Sequence, residues 1–169
     1  MRPFCEDGMN FIHQAADSVL KASQNGEYAR VPQKRPSRSK PDAPIPKPKH
    51  VPIPPTISHF VMNLPASAIE FLGRYRGLYT GYEDVFEPVT ATKLPMVHVH
   101  CFSIKQDDET PINDICERIT KELGYTVQPG DPDVEGQVTI HDVRDVAPAK
   151  RMFCASFRLP REVAFAPRN

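Results

Sequence analysis

The residues best suited to chemistry in this chain sit where apolar runs stop. His59-Phe60-Val61-Met62 is closed by Asn63-Leu64-Pro65, and Asp7-Gly8 stands just ahead of an apolar periodic stretch. An asparagine amide accepts through oxygen and donates through nitrogen, so a single side chain can hold a planar base from its edge. The proline fixes the turn, and backbone carbonyls there, lacking helical partners, can point at the same ring. The tripeptide also works as an ordinary strand-ending turn, because Asn and Pro are common turn formers. Asp7-Gly8 divides in the same way. Its carboxylate can accept an exocyclic amino group while the glycine lets a ring approach, or it can simply cap the helix that follows.

Other polar groups point to blander chemistry. His98 and His100 alternate on one strand face while Cys101 points the other way. A metal centre needs further ligands with closed geometry, and none accompanies them, so they read as packed or hydrogen-bonded imidazoles. His13 and His59 have no neighbouring partner pattern, His141-Asp142 reads as a surface pair, and nothing supports a serine nucleophile. Arg30, Lys34, Arg35, Arg38, Lys40, Lys47 and Lys49 could neutralise phosphates, but the prolines between them favour a solvated linker. Arg144, Lys150 and Arg151 form a second, weaker candidate. Lys plus Arg equals Asp plus Glu at 21 each, so any polyanion site must be local. Cys5, Cys101, Cys116 and Cys154 lack any CxxC spacing and read as free thiols of a reducing compartment. No apolar run approaches the roughly 18 residues that span a bilayer.

These groups need elements to position them. Phe11, Ile12, Ala15, Ala16, Val19 and Leu20 recur at helical spacing, giving a loop and amphipathic helix over 1–23 that ends near Ser23 to Gly26. Residues 24–56 are so rich in Pro, Lys, Arg and Ser that they read as a disordered insertion. Order resumes at Ile57: His59 to Asn63 suits a central strand covered on both faces. A short helix follows over 66–72, loosened or stopped by Gly73 and Gly77, then a surface loop over 77–93. Met96 to Ile104 reads as a second strand. Thr110 as N-cap, Pro111 at the first helical position and Gly124 beyond Leu123 bound the best-signalled helix, with Ile112, Ile115, Ile119 and Leu123 inward. Two strands, Gln137 to Val143 and Arg151 to Leu159, joined by 144–150, make an antiparallel pair. This alternation predicts an α/β fold with an antiparallel end.

The motifs taken together resemble a family. MNLPASAIEFL, then VHVHCFS about thirty residues on, then VRDVAPAKRMFCASFRLP, are similar to the eukaryotic and archaeal tRNA (guanine-37 N1)-methyltransferases from their fourth motif onward. RPFCEDGMNFI resembles their third. The resemblance implies the C-terminal half of a class I, Rossmann-like methyltransferase sheet of strand order 3-2-1-4-5-7-6, with 59–63 as its fourth strand, 96–104 as its fifth, and 57–169 as the C-terminal part of the domain. It implies transfer of a methyl group from S-adenosylmethionine to N1 of guanine 37. Asp7, Gly8 and Asn63 would touch the cofactor, and Asn63, Leu64 and Pro65 the guanine. The tRNA anticodon region is the implied partner, with no membrane or metal, in a protein monomeric at full length and found in cytoplasm, nucleus or mitochondrial matrix.

The family's glycine-rich cofactor loop, its acidic ribose-binding residue, its N-terminal tRNA-recognition domain, and the glutamate and arginine that act on guanine have no counterpart in these 169 residues. The catalytic pair is therefore expected upstream, and the chain is expected to be a fragment with little activity alone. Two alternatives stay open: a relative of the wybutosine-pathway aminocarboxypropyl transferase, and a non-catalytic truncated product that binds a partner strand. In the latter, the class's fourth strand is an apolar edge that invites strand addition.

Overall fold

The computed structural model describes residues 3–33, 44, 46–87 and 93–168. Helix α1 spans Gly8–Gln24 and starts at Asp7, whose Oδ1 accepts from the backbone N–H groups of Met9 and Asn10 at 3.0 and 3.2 Å. A helix N-terminus leaves such donors without partners, so the carboxylate fixes where α1 begins. The predicted stripe is present, with Ile12, Ala16 and Leu20 buried. At the other end Gly26 takes a φ of +66°, and Glu27 N–H donates back to the Ala22 carbonyl at 3.0 Å. This left-handed closure turns the chain sharply out of the helix.

What leaves the helix is a ribbon. β1 Tyr28–Val31 pairs antiparallel with β2 Lys49–Pro52, Tyr28 facing Pro52 and Val31 facing Lys49. An unstructured insertion over 24–56 is therefore not what its described ends show. Tyr28, Val31 and Val51 are strand-forming side chains, and a further bond from Ile53 N–H to the Glu27 carbonyl at 3.1 Å closes the ribbon's base. Residues 34–43 and 45, which include Lys34, Arg35, Arg38 and Lys40, lie outside the described residues.

The main sheet contains β3 His59–Met62, β4 Met96–Ile104, β5 Gln128–Pro129, β6 Gln137–Ala147 and β7 Lys150–Arg158, in the order β3-β4-β7-β6-β5. β3 runs parallel to β4, whereas β7 is antiparallel to both β4 and β6. Residues 144–147, expected in a link, extend β6, and only Pro148 and Ala149 separate it from β7. Register shifts at Asp142/Arg144 and Asp145/Ala147 interrupt the β6 side of this hairpin, while β7 stays paired with β4 to Ile104.

The two faces of the sheet differ. On one, Val97, Val99, Cys101, Ala155 and Phe157 are buried against Ile115 and Ile119 of α2 Thr110–Leu123. On the other, His98, His100, Phe102, Cys154 and Ser156 are half-buried. β3 is an edge strand rather than the covered central strand expected: Phe60 and Met62 pack inward, but His59 is exposed and Val61 is 68% exposed. Among the described residues only β4 pairs with it.

Helix α2 closes at Gly124 with φ +66°, as the sequence predicts. Its start differs slightly, because Thr110 is the first helical residue and the Asp108 carboxylate accepts its N–H at 2.9 Å. The short helix after Pro65 is a 3-10 helix, Ala68–Tyr75, that passes through Gly73 instead of stopping there.

The segment read as a surface loop is core. Leu78, Tyr79 and Phe86 are at most 2% exposed, and Phe86 meets the Tyr79 and Phe165 rings at 4.8 and 5.6 Å. Backbone bonds from Gly77 and Tyr79 to the Val163 and Ala164 carbonyls, both 2.9 Å, pin it to α3 Arg161–Ala164. A side chain on Gly77 would meet the Ala166 carbonyl at 2.9 Å, so glycine allows this close approach. Phe86→Ala should cost about 3–5 kcal/mol of folding stability in urea titration. A loss below about 0.5 kcal/mol, usual for surface changes, would show that the segment is not core.

Candidate functional site

A cleft of about 520 Å³ opens between the free edge of β3 and the first turns of α1. Its walls are Gly8, Phe11 and Ile12 from α1, Phe60 to Leu64 from β3 and the turn after it, and Ala68, Phe71 and Tyr75 from the 3-10 helix. Each wall has a local cause. Asp7 sets the start of α1, so that Gly8 faces the Phe71 ring, and a Cβ on Gly8 would lie 2.9 Å from Phe71 Cε2. Tyr75 packs edge-on against Phe60 at 5.1 Å, and its hydroxyl donates to Met62 Sδ at 3.6 Å. Burial pushes the Tyr75 phenol well above its ordinary range, so it stays a neutral donor.

The sequence-predicted residues divide between the cleft and its frame. Gly8, Asn63 and Leu64 line the cleft. Asn63 is exposed, and its amide has no hydrogen-bond partner among the described residues, leaving both its donor and its acceptor available. Pro65 stands behind the wall. The Pro65 carbonyl accepts from Phe102 N–H at 3.2 Å, and the Leu64 carbonyl accepts from Ser67 and Ala68 at 3.0 and 2.8 Å. Both carbonyls thus serve the frame. Asp7 also stands outside the lining and performs the cap, through one oxygen only. Phe11, Phe60, Phe71 and Tyr75 were not among the candidates, since nothing in a single apolar residue says which cavity it faces.

A second polar feature is a chain of imidazoles on the less covered sheet face. His59 Nδ1 lies 3.0 Å from His98 Nε2, with the rings stacked, and His98 Nδ1 lies 2.8 Å from Ser156 Oγ. His59, expected without a partner, gains one because parallel pairing sets Val61 beside His98 and brings His59 within reach. His98 is held below the ordinary histidine range, first by burial and then by the adjacent His59 and His100. His13 is lowered too, first by burial and then by Arg168. Both His100 ring nitrogens are buried without a partner in the described structure.

In the Arg144, Lys150 and Arg151 cluster, Arg144 is exposed and in no ion pair among the described residues, but the other two are engaged. Arg151 pairs with Asp145 at 2.8 Å, Asp142 at 3.1 Å and Asp107 at 3.4 Å, while Lys150 sits 4.1 Å over the Phe102 ring. No group of three or more His, Cys, Asp or Glu side chains among the described residues could hold a metal ion. No described helix is long and apolar enough to cross a membrane. The four cysteines are free thiols, Cys101 and Cys116 buried, and burial pushes Cys101 up to about 12.

β3, β4, β7 and β6 lie in the order 4-5-7-6 that the resemblance implies, with β3 parallel to β4 and β7 antiparallel to both its neighbours. Comparison with known proteins agrees. The chain is 71% identical over 168 residues to the tRNA (guanine(37)-N(1))-methyltransferase of Neurospora crassa, covering 99% of this chain and 35% of that protein. It is 67% identical to that of Fusarium vanettenii, covering 99% of this chain and 36% of that protein. It is 38% identical to that of Schizosaccharomyces pombe, covering 98% and 35%. No family model matches. Trm5b from Pyrococcus abyssi is a looser structural neighbour: TM-score 0.36, 22% identity, 60% of this chain and 24% of that one. The resemblance read from the motifs is thus borne out. The chain is related along almost its whole length to tRNA (guanine(37)-N(1))-methyltransferases, and spans about 35% of the length of the Neurospora crassa and Fusarium vanettenii relatives.

The lowered histidines carry a pH signature. A base whose folded pKa lies below its unfolded value adds stability that is complete above about 6.5 and is lost as pH falls through the folded value. The melting temperature should therefore drop between pH 7 and pH 5, and His13→Gln with His98→Gln should flatten part of that drop. An equal fall in wild type and double variant would remove these imidazoles from the acid response.

Proposed function

We propose that this chain forms the guanine-facing part of an enzyme that transfers a methyl group from S-adenosylmethionine to N1 of guanine 37 in tRNA. The observation that carries the reading is the coincidence of the free Asn63 amide and Gly8 on one apolar cleft, in a chain this similar to tRNA (guanine(37)-N(1))-methyltransferases. In an open α/β sheet, ligands lie beyond the carboxyl ends of the strands, and Asn63 stands at that end of β3.

The residues present suit part of the methyl donor. Phe11, Phe60 and Phe71 offer faces for an adenine ring, Gly8 lets Phe71 pack close against the start of α1, and the second oxygen of Asp7 is not used by the cap. Cap and adenine contact are therefore compatible, since each needs one oxygen. The donor, when bound, supplies an electrophilic methyl carbon. Asn63 Nδ2 can donate to guanine O6, where negative charge grows as N1 loses its proton. Apolar walls exclude water and hold the ring in line, a positional contribution. For the base that takes the N1 proton, the reading relies on the glutamate that the resemblance expects upstream.

The test uses labelled S-adenosylmethionine and two tRNA transcripts, one with guanine and one with adenine at position 37. The 169-residue chain is assayed alone and mixed with the N-terminal two thirds of the Neurospora crassa relative, with that intact relative as control. We expect 1-methylguanine only in the mixture and only on the guanine transcript, and Asn63→Ala should lower its rate by about 10²–10³-fold. A silent mixture beside an active control would contradict the reading, as would product with the mass of an aminocarboxypropyl adduct.

A further inference from the structure

We propose that the β1–β2 ribbon, with the groove between it and α1, binds unpaired RNA next to the base held in the cleft, its cations on phosphates and Tyr28 against a base. This rests on the reading above, whose substrate is RNA, and extends the binding surface past the reacting nucleotide.

Charge is the first argument. The chain is neutral, yet from Glu27 to His50 there are seven lysines and arginines against two acids, which leaves the remaining residues with fourteen against nineteen. The basic charge is thus concentrated on one excursion of an otherwise acidic chain. Arg30, Lys47 and Lys49 are exposed and take part in no ion pair among the described residues. Elsewhere Arg151, Arg158 and Arg168 are held by carboxylates, while Lys21, Arg74, Arg76, Lys121 and Arg144, also in no ion pair among the described residues, are spread over separate elements, so the run around the ribbon is set apart by its local excess of basic charge. Unpaired, solvated cations are the ones that release counterions from a phosphate backbone.

Geometry is the second. Tyr28 and Arg30, two residues apart on a strand, share a face with their cross-strand partners Pro52 and His50. Tyr28 is 65% exposed, and Phe4, 50% exposed, packs on Phe11 at 5.2 Å. Tyr28, Arg30, Phe4 and Phe11 line a groove of about 560 Å³. Aromatic faces beside a basic strip suit stacking on unpaired bases, which every base can provide.

Continuity is the third. The groove and the cleft share Phe11 and Ala15, so they are neighbouring depressions on α1. The Gly26 turn and the Glu27 to Ala22 bond fix the ribbon to the end of that helix, so it is held at a set position.

The test measures binding of an unmodified tRNA transcript to the full 169-residue chain by fluorescence anisotropy from 50 to 200 mM salt, apart from any methyl transfer. Arg30→Gln with Lys47→Gln and Lys49→Gln should weaken binding about tenfold and make the log–log salt slope shallower by about 2. Tyr28→Ala should weaken it at least about fivefold and leave the slope unchanged, with Tyr28→Phe near wild type. All these side chains are exposed, and matching circular dichroism melts confirm that the variants fold. Unchanged affinity and slope in both variants would overturn the proposal. So would loss of binding to phosphatidylserine vesicles, in place of tRNA, in the triple variant. Ribbon-dependent tRNA binding beside a reconstituted mixture that stays silent would sink only the activity reading, and methylation by that mixture with tRNA binding indifferent to the ribbon variants would sink only this one.

Discussion

The cleft exists because one 3-10 helix, Ala68–Tyr75, is wedged between the edge of the sheet and α1. Its inner side is anchored by Ala68, Leu72 and Tyr75, none more than 1% exposed, and full burial of a side chain such as Leu72 is worth about 1.5–3 kcal/mol. Its other residues set the cleft's width: Phe71 stops at Gly8, and Tyr75 holds Phe60 and Met62. A strand with a single hydrogen-bonded neighbour has little else to hold it, so the position of Asn63 depends on this wedge as much as on the β3–β4 pairing.

Division of labour follows from that constraint. Carbonyls and carboxylates that the sequence offered for ligand contact take part in building the frame: the Leu64 carbonyl closes its own turn, the Pro65 carbonyl ties that turn to Phe102 of β4, and Asp7 starts α1. The asparagine amide is left over, a polar group that the cleft retains. Arg151 tells a similar story on the far hairpin, where three carboxylates absorb a cation that composition alone would assign to phosphate. On the ribbon, Arg30 and Lys49 have not been absorbed in this way among the described residues.

Much of this was legible in the sequence, for identifiable reasons. Pro111 and Gly124 punctuate α2 because one restricts φ and the other tolerates positive φ, and alternation in β4 gives its two faces. Gly8 and Asn63 could be named because they stand at element ends. Three features were hidden. Tyr79 and Phe86 follow no period, so only the tertiary contact with Phe165 reveals them as core. Val31 and Lys49 pair across a proline-rich stretch whose composition reports chain entropy but not strand pairing. His59 and His98 are 39 residues apart, and only the parallel register brings them together.

The central claim is that the side chain closing β3 and the first residue of α1 border one ligand cleft. The direct measurement is a titration of the isotopically labelled 169-residue chain with S-adenosylmethionine, followed by amide NMR, which detects millimolar affinity even without the glycine-rich loop. The account predicts that the Gly8 backbone amide and the Asn63 side-chain amide shift together along one binding curve, with Leu64 and Phe71. Shifts confined to other parts of the sheet, or none at these four residues at millimolar donor, would contradict it.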